Sequence, residues 1–323
     1  MSQVEIVFNQ LNERIEAFQT KEDLTYLDSF LNVLNLVLMD EETIGTLDAE
    51  NAAFVEEIKA VQFDQEDKET IRKVIQFALL KSFKGAQQQQ HTLTPDMVSF
   101  YMSYLIEKLF ENKQDIRIFD PVVGSGNLLT GVLNQTRKHF VSYASEVDQT
   151  FIELALTSAE LQKQTIEFFH QDSLKPLLLD PVDVVVSDLP VGYYPDDEVA
   201  ANFDVAVKDE HTYAHHLLLE QSVKYVQPGG YVIALVPNHL FDSDQSKQLH
   251  MFIQKAAHVV ALLQLPDDLF KSSKSAKSIL VLQRKAENTE APNEVLMAQL
   301  PRFKDYKATE NMVLKMNAWF KNY

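Results

Sequence analysis

The chain has no cysteine among its 323 residues. Disulfide staples, thiol nucleophiles and zinc–thiolate sites are excluded together. Proline is absent before Pro95, and the first 90 residues hold only two of the eight glycines, Gly45 and Gly85. A stretch so poor in helix breakers is free to run as helix. No apolar run approaches the ~18–20 residues that a membrane-spanning helix needs. The start, MSQVEIVFNQLNERIEAF, lacks the basic opening and apolar block of a signal peptide. A soluble, cytoplasmic protein is the expectation. Positive charge is scarce as well: the net charge is −18, residues 1–90 carry 8 basic against 17 acidic side chains, and residues 286–323 balance at 5 against 5. Proteins that grip nucleic acid unaided present a basic face, so any such role works against the overall field.

What is present falls into two patterns. Leu27, Phe30, Leu31, Leu34, Val37 and Leu38 recur at helical spacing, as do Ile71, Val74, Ile75, Ala78 and Leu79. This predicts helices near 2–19, 22–39, 48–61 and 66–84, hence an all-α N-terminal domain over 1–86. It reads as a cap on the neighbouring domain, or as a module for a protein partner or a homodimer. Gly85 to His91, a glutamine run, is the expected hinge. From 91 to 285 strands alternate with helices, which predicts an α/β domain with a Rossmann-like, mostly parallel sheet. The segments 258–264 and 277–284 have no helix between them and suggest an antiparallel edge hairpin. Residues 286–323 are expected to form a C-terminal tail with a helix near Trp319.

Three of the eight glycines fall between 124 and 131, in Asp120-Pro121-Val122-Val123-Gly124-Ser125-Gly126-Asn127-Leu128-Leu129 and the two residues after it. A strand, a glycine turn and a helix form a ligand cradle, because glycine permits positive φ and the helix start offers free N–H groups. Leu129 stands where a dinucleotide fingerprint needs its third glycine. Glu146 ends the next strand, placed for ribose hydroxyls. Asp172 follows the third strand, where it can accept from an exocyclic amine, and Asp188 follows the fourth. Acidic strand ends disfavour a phosphate-bearing ligand and suit one with an amine, a sulfonium, a ribose and an adenine.

Across 91–285 the chain resembles S-adenosylmethionine-dependent N6-adenine DNA methyltransferases, including the modification subunits of type I restriction systems. Thr94-Pro95 is similar to the element that packs over the cofactor's methionine end. Asp120, Pro121, Gly124, Gly126, Asn127 and Leu128 match the cofactor motif. Glu146 matches the ribose acid, Asp172 with Ser173 the adenine contact, and Pro228-Gly229-Gly230 the family turn. The closing hairpin matches Leu265-Pro266-Asp267-Asp268-Leu269-Phe270 and Ser278-Ile279-Leu280-Val281-Leu282. The resemblance implies S-adenosylmethionine as cofactor and a nucleic-acid acceptor, DNA first, reached alone or with a partner subunit.

It further implies that Asp188 and the carbonyl of Leu189 receive the target amine, within Asp188-Leu189-Pro190-Val191. The family carries Asn/Asp-Pro-Pro-Tyr/Phe there. Leu189 thus replaces a ring, and Val191 replaces the aromatic that stacks on a flipped base. Tyr193 or Tyr194 could supply that ring, the alternative being a packed lid loop. No target-recognition domain is evident after 285. A cofactor-binding protein with lost or redirected activity, or an RNA or protein acceptor, stays open as the alternative. Among His211, His215 and His216 two histidines lie four apart, a possible metal pair with no matching third ligand, so no metal is expected. Lys271, Lys274 and Lys277 form the one clear basic cluster.

Overall fold

The computed structural model describes residues 2–84, 93–270, 272, 275–302 and 304–323. The expected hinge, Lys271 and Lys274 lie outside the described residues. The N-terminal helices are α1 (Gln3–Glu22), α2 (Tyr26–Leu38), the single-turn α3 (Glu41–Ile44), α4 (Ala49–Lys59) and α5 (Lys68–Ser82). Ser2, Thr25, Asp40, Asp48 and Asp67 open them, each accepting a hydrogen bond from a first-turn N–H that would otherwise lack a partner. Their apolar stripes pack into one core that includes Leu11, Ile15, Phe30, Leu34 and Leu79, together with Leu154 and Leu161 of α8 (Gln149–Leu161). The helical unit therefore shares its core with a helix that covers the sheet.

The remaining elements are α6 (Asp96–Leu109), β1 (Asp115–Asp120), α7 (Asn127–Gln135), β2 (His139–Glu146), β3 (Ile166–His170), β4 (Val182–Asp188), the one-turn α9 (Asp197–Ala200), α10 (Ala214–Tyr225), β5 (Val226–Pro237), α11 (Ser246–Ala256), β6 (Ala257–Gln264), β7 (Lys277–Arg284), β8 (Leu296–Gln299) and α12 (Tyr306–Phe320). The sheet order is β3-β2-β1-β4-β5-β7-β6-β8. The first five strands run parallel, and β7 is antiparallel to both β5 and β6. Successive residues of β4 serve opposite faces: Val184 and Val186 enter the core with α6 and α7, while Val185 enters the one with α10 and α11.

Residues 286–323 are more than the expected tail. They supply β8, parallel to β6, so the antiparallel pair lies one strand in from the edge. Met316 of α12 is fully buried, and Trp319 donates its indole N–H to the Glu294 carbonyl at 2.9 Å. A four-residue strand has no readable alternation; the open edge of β6 decides its pairing.

Candidate active site

The expected carboxylates converge on one edge of the sheet. Asp120, Glu146 and Asp188 close β1, β2 and β4, and Asp172 follows β3 by two residues. This edge flanks the point where the strand order reverses, between β1 and β4. In the turn between β1 and α7, Gly124 (φ +54°) and Gly126 (φ +79°) are left-handed, where L side chains are strained. A Cβ on Gly124 would meet no atom within 4 Å, so the space beside it is open to a ligand. A Cβ on Gly126 would lie 3.3 Å from Cβ of Ala155 in α8. Gly126 starts α7 without a side-chain cap, which leaves first-turn N–H groups to the cradle. The Gly124 N–H donates to Glu146 Oε2 at 2.9 Å, and the other oxygen of Glu146 accepts from the N–H groups of Val147 and Asp148. The acid is thus held at the mouth of the turn.

Asp120 is buried beneath it. Its Oδ1 accepts from Ser187 Oγ at 2.8 Å and from the Val122 N–H at 3.2 Å. Desolvation nevertheless pushes its pKa up to about 7, with the charges of Glu146 and Asp188 adding to the shift. A cation seated beside Asp120, Glu146 and Asp188 would relieve that repulsion. Ammonium, sulfonium, ribose hydroxyls and an exocyclic amine all find acceptors here, so the residues fit S-adenosylmethionine. Three residues expected to line the cradle use their side chains to shape it. Ser173 is buried and donates to the Pro121 carbonyl at 2.6 Å. Leu128 lies in the core. Asn127 accepts from Arg72 Nη1 at 2.7 Å and donates to the Thr94 carbonyl at 3.1 Å.

The acceptor half is built by longer reaches. Thr94 Oγ1 donates to Asp188 Oδ2 at 2.8 Å. Lys277 Nζ, from the start of β7, donates to Asp188 Oδ1 and lies 3.5 Å from the Leu189 carbonyl oxygen. The Leu189 N–H donates to the Leu235 carbonyl at 3.1 Å, continuing the β4–β5 ladder one residue past Asp188. A proline has no N–H to make that bond, and the leucine side chain is fully buried in the second core. The substitution thus exchanges a ring for a strand bond. Pro190 and Val191 are exposed. Tyr194 is not free to present its ring: it is buried and donates to Asp172 Oδ2 at 2.6 Å. Burial and this carboxylate both raise its pKa. Tyr193 is 56% exposed and stacks on Tyr213, with ring centroids 4.7 Å apart and planes 13° from parallel. A cavity of about 510 Å³ opens beside Tyr193, lined in part by Asp197, Asp209 and Glu210.

Two residues of this constellation carry no local motif. Arg72, 1% exposed, comes from α5 and ion-pairs with Glu69 and Asp96 at 2.6 and 2.9 Å while it holds Asn127. Lys277 stands in the sequence only as part of a basic cluster, and its chemistry appears once β7 is beside β5. His211 lies 2.9 Å from Asp197. His215 and His216 are buried without hydrogen-bond partners, and desolvation lowers their pKa values to about 3 and about 4. No cluster of three metal-ligating side chains occurs among the described residues.

Comparison with known proteins extends over nearly the whole chain. Residues 67–320 match the N-6 DNA methylase family model, and residues 5–83 match that of the YtxK N-terminal helical domain. The chain is 40% identical over 320 residues to the uncharacterized protein YtxK of Bacillus subtilis, covering 98% of this chain and 97% of that one. A Listeria monocytogenes structure, described as a candidate class I S-adenosylmethionine-dependent methyltransferase, aligns with TM-score 0.89 at 36% identity over 98% of both chains. The modification subunit of a candidate type I restriction enzyme from Vibrio vulnificus shares the fold, with TM-score 0.65 at 16% identity over 84% of this chain and 62% of that one.

Proposed function

The chain belongs to the N-6 DNA methylase family and is an S-adenosylmethionine-dependent methyltransferase, and from that premise we propose that its acceptor is a nucleic-acid amine held at Asp188. The observation that carries this reading is the 2.8 Å hydrogen bond from Thr94 to Asp188. Thr94 also accepts from Asn127 in the glycine turn through its carbonyl, so one residue fastens the acceptor carboxylate to the cofactor cradle. Bound S-adenosylmethionine supplies a methyl group on a sulfonium. Asp188 and the Leu189 carbonyl accept the two amine hydrogens and aim the nitrogen lone pair, so this chain contributes positioning more than bond chemistry. Asp188 lies where it can take the proton released on N-methylation. Tyr193, exposed beside the motif, is the ring available to an unstacked base in place of Val191.

The acceptor side is acidic, with Asp196, Asp197 and Glu198 following the motif. Phosphate binding draws on positive charge. We therefore assign target recognition to a protein partner that carries it, bound to this chain. The test pairs calorimetry with S-adenosylmethionine and tritiated-methyl transfer to DNA, RNA and cell extract, with and without co-purified partners. Label on DNA that disappears in Asp188→Ala is the expected result. Cofactor binding with label on no nucleic acid, or on protein alone, would overturn the acceptor assignment.

A further inference from the structure

The contacts of Lys277 reproduce those assigned to the acceptor amine. Its ammonium donates to Asp188 Oδ1 and lies 3.5 Å from the Leu189 carbonyl oxygen, while the other carboxylate oxygen is taken by Thr94. The two acceptors that would orient a target nitrogen thus already face a nitrogen. Both partners are largely removed from water, with 17% of the Lys277 side chain and 19% of the Asp188 side chain exposed. The pair of Lys255 with Asp204 is far more open, at 75% and 56%.

We propose that Lys277 is the resident occupant of the acceptor position and a specificity-determining residue: an acceptor enters by displacing its ammonium from Asp188. The inference rests on the assignment of Asp188 as the acceptor-binding group. The backbone of Lys277 cannot make the exchange. It pairs with Pro237 in the β5–β7 ladder, and its carbonyl accepts from the Leu265 N–H at 3.1 Å. The long side chain alone must swing away. Once displaced, the ammonium needs a new counter-charge. An acceptor that brings an anion beside its amine, as a nucleotide in a strand does, supplies one; an uncharged amide or free nucleoside does not. In a chain of net charge −18, this single cation would make a phosphate the condition for exposing Asp188.

Two measurements on the full chain test this. Reductive methylation with isotopic formaldehyde, read by peptide mass spectrometry, should label Lys277 more slowly than Lys255 in the free protein. The lag should vanish in Asp188→Asn. Labelling of Lys277 as fast as Lys255 overturns the proposal, whatever the enzyme's activity. In methyl transfer, Lys277→Met should gain about fivefold on free adenosine, the factor to which the ~1 kcal/mol of a part-exposed ion pair converts. Its preference for an oligonucleotide over adenosine should fall, whereas Lys277→Arg keeps the preference. An unchanged preference in Lys277→Met overturns the specificity role. Should no variant methylate either acceptor while all bind the cofactor, the acceptor reading fails, and the labelling still decides where Lys277 sits.

Discussion

The cofactor half and the acceptor half of this site are constructed differently. The cradle follows chain order: Gly124 and Gly126 after β1, the start of α7, Glu146 at the end of β2 and Asp172 just past β3. The acceptor half is assembled from afar. Thr94 reaches Asp188 across 94 residues and Lys277 reaches it across 89. Residues read from a motif thus hold one ligand, and residues gathered by packing decide what reaches the other. The cradle is complete in outline without its neighbours, whereas the acceptor carboxylate is defined by what its neighbours leave free.

The largest effect should come from Asp188→Ala. Loss of the aligned acceptor should lower methyl transfer by about 10²-fold or more, with cofactor affinity by calorimetry falling much less. Equal loss of both would dissolve the division between the halves. Next is Arg72→Ala, which leaves Glu69, Asp96 and Asn127 short of a shared partner. Denaturant unfolding should show a loss of about 3 kcal/mol, at the low end of the range for buried charges because Glu69 and Asp96 are part-exposed. Cofactor binding should weaken with it, since Arg72 steadies the glycine turn from α5. A purely structural role would spare cofactor affinity in protein that remains folded.

A smaller effect is set by pH. Because burial raises the pKa of Asp120 from its ordinary value of 3.8 to about 7, the folded state binds more protons than the unfolded one between these values. Stability from this group is therefore present below about 4 and lost as pH rises to about 7, by at most ~1.4 kcal/mol per pH unit. Asp120→Asn should flatten that part of a stability–pH profile measured by thermal unfolding, and saturating cofactor should also reduce the slope by relieving the repulsion. His215 and His216, held neutral by burial, act in the opposite sense. Their contribution is full above about 6.5, the ordinary histidine value, and falls as the solution is acidified. Smallest is Val191→Phe: an exposed aromatic restored beside Pro190 should strengthen oligonucleotide binding by about 1 kcal/mol, read by fluorescence anisotropy. No gain would show that Tyr193 already serves as the stacking ring, and Tyr193→Ala should then lose a similar amount.

Much of this was legible in the sequence. The helical N-terminal run, the strand–turn–helix around Gly124, and the acidic strand ends at Glu146 and Asp188 all rest on short-range rules. Periodicity, glycine conformation and the placement of a residue just after a strand are settled within a dozen residues. The short β8 was not legible, because four residues carry no period and the edge of β6 chose its partner. Nor were the roles of Ser173 and Asn127, whose motif positions suggested ligand contact. Their side-chain hydrogen-bonding groups are used by Pro121, Arg72 and Thr94, groups that only the packed chain brings near.

The sequence by itself determined the class of fold and the kind of donor, because backbone geometry and strand-end chemistry are local. Tertiary structure alone decided that Leu189 trades a ring for a bond to Leu235, that Tyr194 is spent on Asp172, and that Lys277 meets Asp188. Those are pairings between distant segments, fixed by the order in which eight strands lie side by side, and no spacing along the chain records them.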